Sequence, residues 1–203
     1  MKTQGLWFLM SNSQNTIPIQ SLPLQGQELN RFIQQWLVSL TGIDPNLMRP
    51  VWQTEPPNIP SEGDAWGAFR VTSTTSDTFP AFIHHGENDG TDELQRHEIL
   101  EYLVSFYDLG TNGFADAYAA TLRDGMAVAQ NREILTNNSM NLLAIGNLQT
   151  VPSLLKQRWL YRVDLSFQLA RAVTRTYEIL NVLEADVTIK TDEGYTKPFI
   201  ITQ

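Results

Sequence analysis

The feature that most constrains the fold is a run of alternating apolar and polar residues late in the chain. From Trp159 to Leu169, every second residue is apolar, and arginine, aspartate, serine and glutamine fill most positions between. Successive side chains of a β-strand point to opposite faces of the sheet, so this pattern predicts a strand with one buried side. It places Trp159 and Tyr161 on the apolar side, and only Leu160 interrupts the polar side.

Other segments predict further strands. A second alternating run, 183–189, is expected to pair antiparallel with the first, because strands that follow one another in sequence usually lie side by side. Short strands over 68–73 and 79–85 are predicted to form a hairpin. Residues 97–109 are apolar on both sides, which is typical of a strand covered on both faces, with a helix as the alternative that periodicity alone leaves open. The tail around Phe199 is predicted to add an edge strand.

Two stretches have the periodicity of helices. From Gln27 to Leu40 the apolar residues recur at the spacing of one helix face, and Gly42 follows where a C-terminal cap belongs. A second helix is predicted to start at Asn112, a residue that can cap it. Helices and strands with one apolar side each predict a single α+β domain over 26–203. We expect a mostly antiparallel (mixed) sheet with helices packed on one face.

Residues 1–25 are predicted to form an extended N-terminal arm. Prolines stand between apolar residues at Pro18 and Pro23, which favours extended backbone and excludes a regular helix. The apolar run around Trp7 and Phe8 is too short for a signal peptide and lacks a small-residue cleavage site. An apolar arm must lie against its own domain or against an adjacent subunit. No stretch of the sequence is long enough to span a membrane.

The charge balance argues against nucleic-acid and membrane binding. The chain has 22 acidic and 14 basic residues, for a net charge of −8. Because affinity for nucleic acid comes mainly from lysine and arginine neutralising phosphates, this balance predicts repulsion of DNA. The same reasoning disfavours an anionic membrane surface. The chain has no cysteine, so disulfides, thiolate nucleophiles and sulfur-bound metals are excluded.

The main basic concentration consists of Arg158, Arg162, Arg171 and Arg175. One interpretation is a nucleic-acid strip; the other is ion pairing with acidic residues of the same sheet or of a neighbouring subunit. The overall acidity favours pairing. Arginine is also common in subunit contacts. These four arginines, together with the aromatic pair of the arm, Trp7 and Phe8, are therefore the predicted subunit-contact residues.

A metal site is the strongest catalytic hypothesis that the sequence allows. All three histidines lie close together in sequence, and a small metal-dependent hydrolase would use His84, His85, Asp89 and His97. The spacing matches neither a His-Glu-x-x-His helix nor a calcium loop. A polar loop between two strands accounts for these residues better. Nucleophile elbows and phosphate-binding loops are also missing, so we predict no catalytic residues and no cofactor.

A set of aromatic, glycine- and proline-containing motifs is spread over about Leu29 to Ile189. They are Trp36-Leu37 with Gly42, Met48 to Pro60 with its Pro-Pro-Asn-Ile-Pro ending, Trp66 to Phe69, Arg158 to Phe167, and Tyr177 to Leu180. In these motifs the chain resembles phage neck or tail terminator proteins, and the motifs are structural rather than catalytic.

This resemblance implies a structural virion protein of the neck or tail, assembled in the host cytoplasm. Such a protein forms a six-fold ring that caps the last ring of tail-tube protein, stops tube growth and meets the head connector. DNA would pass through the opening without being bound specifically, which suits an acidic protein. A head-completion adaptor or a baseplate component is the alternative within the same class.

Overall fold

The computed structural model describes residues 8–10, 20–22, 24–51, 65–85, 91–109, 113–155, 158–178, 182–190 and 196–202. The helices are α1 (Gly26–Thr41), α2 (Phe114–Ala127) and α3 (Ala129–Thr136), with a short 3-10 turn at Pro45–Leu47. The strands are β1 (Phe8–Met10), β2 (Gln20–Leu22), β3 (Met48–Pro50), β4 (Trp66–Ser76), β5 (Ala81–His85), β6 (Thr91–Asp108), β7 (Met140–Thr150), β8 (Ser153–Leu155), β9 (Arg158–Glu178), β10 (Val182–Lys190) and β11 (Thr196–Thr202).

Two compact units divide the chain. The smaller unit comprises 1–22, 79–96 and 173–203, and the larger comprises 23–78 and 97–172. The smaller unit combines residues of the predicted arm with residues of the predicted domain. The division into an arm (1–25) and a single domain over 26–203 stays a prediction. Among the described residues, no helix has the length and apolar character needed to cross a membrane.

The larger unit contains a mixed, mostly antiparallel sheet. Its strands follow the order β3-β4-β6-β9, and β7 and then β8 run antiparallel along β9. The pair β3–β4 is parallel, and β4–β6 is antiparallel. Side-chain contacts join residue 171 of β9 to 98 of β6, 167 to 102, and 162 to 107, so these two strands also run in opposite directions. The predicted α+β class and sheet type are confirmed.

The core of this unit lies between the helices and one face of the sheet. Trp36 of α1 meets Phe167 of β9 edge to face at 5.7 Å between ring centroids, and Phe167 stacks on Tyr102 of β6 at 5.2 Å. The indole Nε1 of Trp36 donates to the carbonyl oxygen of Asn131 at 3.0 Å. The buried residues around these rings include Leu29, Ile33, Leu37, Phe69, Val104, Phe106, Leu122, Met126, Val163, Leu165 and Leu169.

Both long helices end or begin at glycines with left-handed backbone. Gly42, at φ 68°, follows α1 as predicted, and its N–H donates to the carbonyl oxygen of Val38 at 2.8 Å. Gly113, at φ 74°, precedes α2. The first N–H of α2, that of Phe114, donates to the buried carboxylate of Asp108 at 3.2 Å. The predicted cap Asn112 lies outside the described residues.

Two glycine-to-alanine substitutions are expected to change stability in opposite directions. Gly42→Ala forces a Cβ onto positive φ and should lower the free energy of unfolding by about 1 kcal/mol. Gly125→Ala, inside α2 with Leu40 at an ordinary 3.5 Å, should raise it by about 0.5–1 kcal/mol. Urea denaturation of both variants measures the signs, and equal signs would contradict the backbone argument.

The smaller unit corrects one predicted pairing. The run at 183–189 is a strand, β10, but it pairs with β1 and β11 in a three-stranded sheet and does not pair with β9 in the described residues. β9 itself stays extended to Glu178. Residues 170–177 contain no glycine, asparagine or proline that would favour a turn, so the chain has no early point at which to fold back. The predicted edge strand near the C terminus is confirmed as β11.

The predicted hairpin between β4 and β5 is wrong. Each of these strands pairs antiparallel with β6 instead, β4 with residues 98–107 and β5 with residues 91–95. Asp77 explains why the serine- and threonine-rich segment does not turn back. Its N–H donates to the carbonyl oxygen of His97 at 3.2 Å, and its carboxylate accepts the N–H of His97 at 3.0 Å. These bonds hold the end of β4 against β6.

Candidate functional site

Arg162, one of the predicted contact residues, forms an ion pair within its own strand. Residues two apart in a strand share a face, and Arg162 donates from Nε and Nη2 to the two carboxylate oxygens of Asp164 at 2.7 and 2.6 Å. Its guanidinium lies 5.8 Å from the ring centroid of Tyr107. The hydrogen bond to Asp164 raises the pKa of Arg162. This arginine thus neutralises a buried carboxylate.

Arg171 is more deeply engaged. Its Nε donates to Glu98 Oε2 at 2.8 Å, its Nη2 lies 2.7 Å from the same oxygen, and its Nη1 donates to the carbonyl oxygen of Leu24 at 2.9 Å. The two charged side chains are only 9% and 11% exposed. The pair therefore ties β9 to β6 and to the residues that precede α1. For Arg162 and Arg171, ion pairing on the same sheet, one of the two interpretations of the arginines, is confirmed.

For the remaining predicted contact residues that lie in the described part of the chain, the structure gives the backbone pairing, and for Arg175 also the burial. Arg175 is half-buried in β9, and its backbone lies opposite Ser21. The backbone of Arg158 pairs with β8, and that of Phe8 pairs with β10. Trp7 lies outside the described residues. A subunit-contact role for the four arginines and for Trp7 and Phe8 stays a prediction.

The histidines of the metal hypothesis occupy β5 and β6. His84 Nδ1 lies 2.7 Å from Asp92 Oδ1 on the surface, and His97 is exposed. His85 ends β5, and Asp89 lies outside the described residues. Within the described part of the chain, no group of three or more histidine, aspartate or glutamate residues is placed to hold a metal ion.

One buried ionisable side chain has no hydrogen-bond partner among the described residues, the hydroxyl of Tyr102. Burial raises its pKa, and the charge of Arg171 opposes this rise only in part. We expect Tyr102→Phe to leave the free energy of unfolding unchanged or to raise it by about 1 kcal/mol.

The effect of Tyr102→Phe should depend on pH. An unfolded tyrosine ionises near pH ~10, whereas the folded Tyr102 keeps its proton to higher pH. Stability of the native protein therefore falls as pH rises above ~10, because only the unfolded chain loses this proton. The variant lacks this loss, so the difference in free energy of unfolding between it and the native protein should widen between about pH 9 and 11 in urea denaturation. A constant difference would contradict the burial argument.

The predicted apolar side of β9 is wrong at its first residues. Val163, Leu165, Phe167 and Leu169 are buried as predicted, but Leu160 is buried as well, so the residues on either side of it point outward. Trp159 is consequently 73% exposed, and Tyr161 is exposed too. The sequence signal for this change was Leu160, the one apolar residue on the polar side.

These outward aromatic residues border a cleft of about 790 Å³ in the larger unit. Trp159 lies opposite Leu154 of β8, which is 64% exposed. Val151 holds the rim in place, because its N–H donates to the carbonyl oxygen of Arg162 at 2.8 Å. The cleft is lined by Leu109, Gly113, Asp116, Thr150, Val151, Pro152, Trp159, Leu160 and Tyr161.

The chemistry of the cleft is that of a contact surface. Its lining is mainly apolar, and Asp116, in the first turn of α2, is the one charged residue among the lining residues described. A large exposed tryptophan beside an exposed leucine costs hydration free energy of about 25 cal/mol per Å² unless something covers it. Contiguous exposed apolar patches of this kind mark interaction sites. Among the lining residues that the structure describes, none forms a nucleophile–base pair.

Comparison with known proteins agrees with the resemblance noted in the sequence. No curated protein matches the chain. A sequence model of the family described as phage neck terminator protein matches residues 27–193 and leaves out the predicted arm. That match covers most of the chain and nearly the same residues as the motifs that resembled terminators. The chain therefore belongs to the phage neck terminator protein family, whose members are structural components of the phage neck and tail.

Proposed function

We propose that this protein closes into a homo-oligomeric ring, a hexamer, that caps the tail tube and joins it to the head connector. Family membership supports a place in the neck of the virion. The observation that supports the ring is the exposed cleft around Trp159. It is a mainly apolar surface on a subunit whose buried core is formed by other apolar side chains. A ring of head-to-tail contacts covers such a surface on every copy.

The proposed mechanism is geometric and uses no chemical step. One face of the ring matches the last ring of tail-tube protein and so stops further growth, and the other matches the connector. DNA passes through the opening, and a subunit with a net charge of −8 does not retain phosphates. The proposal includes assembly in the host cytoplasm, with the arm (residues 1–25) and the arginines of β9 contributing to contacts.

A density map of the intact particle tests this function. We expect several copies of the chain in a closed ring between the tube and the connector. Infection without the protein should give two separate products: heads without tails, and unattached tail tubes of uncontrolled length. A single copy per particle, or a location in the baseplate, would contradict the proposal.

A second experiment addresses catalysis directly. Particles that carry His84→Ala with His97→Ala should assemble with normal yield, because the proposed role needs no reactive side chain. The matched control is Thr75→Ala, another exposed polar side chain in the same part of the chain. Loss of particles with the histidine variant alone, while the purified variant stays folded, would count against a purely geometric role.

A further inference from the structure

The cleft around Trp159 has an unpaired charge as well as an apolar lining. Asp116 is exposed, and no lysine, arginine or histidine pairs with it in the described residues. Asp116 lines the cleft together with Trp159, Tyr161 and Pro152. Aromatic faces attract cations and pack well against proline. The cleft therefore suits a short extended segment that has an apolar residue, a proline and an arginine or lysine.

Such a segment lies at the opposite edge of the same sheet, in the edge strand β3 and the residue that follows it. Its residues Arg49 and Pro50 lead into Val51, which is exposed. Arg49 donates from Nε to the carbonyl oxygen of Asn46 at 2.6 Å, and in the described part of the chain it has no acidic partner. The segment thus offers an arginine, a proline and an apolar side chain in extended conformation.

The outer edge of β3 is closed to another strand. Gln34 Nε2 donates to the carbonyl oxygen of Met48 at 2.6 Å. Pro50 has no N–H, and the N–H of Val51 already donates to Phe69 of β4 at 2.9 Å. A partner is therefore expected to meet this edge through side chains rather than by strand addition.

We propose that the cleft of one subunit receives the Arg49-Pro50-Val51 edge of a second copy, with Arg49 paired to Asp116. Charge complementarity favours this occupant, since each charge lacks an opposite partner among the described residues of its own chain. The two surfaces lie at opposite edges of one sheet, β3 and β8–β9. Different surfaces at opposite edges are what a head-to-tail contact requires, and repetition of that contact closes a ring. This inference rests on the proposed ring.

Charge reversal tests the pairing. With Asp116→Arg or Arg49→Asp replacing the native protein during infection, we expect the yield of tailed particles to fall about tenfold, since like charges meet. The double reversal should restore it to within about threefold. Asp116→Arg also removes a carboxylate from the first turn of α2, so thermal unfolding of each purified variant checks folding. Arg49→Asp cannot repair that helix end, and rescue therefore reports on contact between subunits.

Chemical cross-linking gives a second readout, helped by the lack of native cysteine. In particles with Val51→Cys and Pro152→Cys together, a short bis-maleimide should link the chain into a ladder of multimers. Either single variant should give no ladder beyond a dimer. Matched controls are Arg123→Asp and Asp124→Arg, charge reversals at an exposed ion pair about two turns along α2 from Asp116, which should leave the yield unchanged.

The outcomes separate this contact from the ring itself. A ladder together with rescue supports the contact. Several copies in a ring, with no ladder and no rescue, would overturn the contact and leave the proposed function standing. A single copy in each particle would remove the ring and the contact together.

Discussion

Phe167→Ala is expected to lower the free energy of unfolding by about 3–5 kcal/mol. Phe167 is fully buried in the larger unit, between the indole of Trp36 and the ring of Tyr102. Truncation removes its transfer free energy and leaves a cavity between two rigid rings that cannot close around it. Urea denaturation monitored by tryptophan fluorescence measures the loss.

Phe79→Ala is the matched control for this substitution. Phe79 has the same side chain but is almost fully exposed, so its truncation should change stability by no more than about 0.5 kcal/mol. Phe167→Leu should fall between the two, because it keeps most of the volume. A loss below about 1 kcal/mol for Phe167→Ala would contradict the packing described here.

Glu98→Ala is expected to lower the free energy of unfolding by about 3–5 kcal/mol, as much as the loss of a large apolar core side chain. The reason is the partner that remains. Arg171 is almost fully buried and both donates a hydrogen bond to Glu98 and forms an ion pair with it, so removal of the carboxylate leaves a guanidinium without its counter-charge. Thermal and urea unfolding of the purified variant give the magnitude.

Replacement of both partners separates the cost of a lone charge from the value of the pair. Glu98→Leu with Arg171→Met should recover most of the lost stability, since a well-packed apolar pair is often as stable as a buried ion pair. Asp124→Ala, which breaks the exposed pair with Arg123, should cost no more than about 0.5 kcal/mol. If the double replacement were as unstable as Glu98→Ala alone, the ion pair would not be the cause.

Periodicity predicted the elements of the fold because it reports which side of each element is buried. The face of α1 with Leu29, Ile33 and Trp36 is buried as predicted, and so is the side of β9 from Val163 onward. Partners were harder to predict. The pattern of β10 says that it is a strand, but not that it pairs with β1 and β11 rather than with β9, since alternation is the same for every partner.

The candidate site shows the same limit. The sequence singled out the arginines of β9, yet Arg162 and Arg171 form ion pairs within the larger unit. It missed the cleft, because Trp159 and Tyr161 continue an alternation that would bury them. Which side they face depends on Leu160 and on the pairing of β8 with β9, and the sequence alone does not reveal this competition.

The sequence by itself determined the class of this protein: an acidic, cysteine-free α+β chain with the motifs of a phage neck terminator. Side-chain periodicity and charge are local properties, and they can be read without coordinates. The tertiary structure alone decided the strand partners, the ion pairs of the arginines and the outward turn of Trp159. Each of these depends on which distant residues meet, and on which of two apolar neighbours takes the buried position.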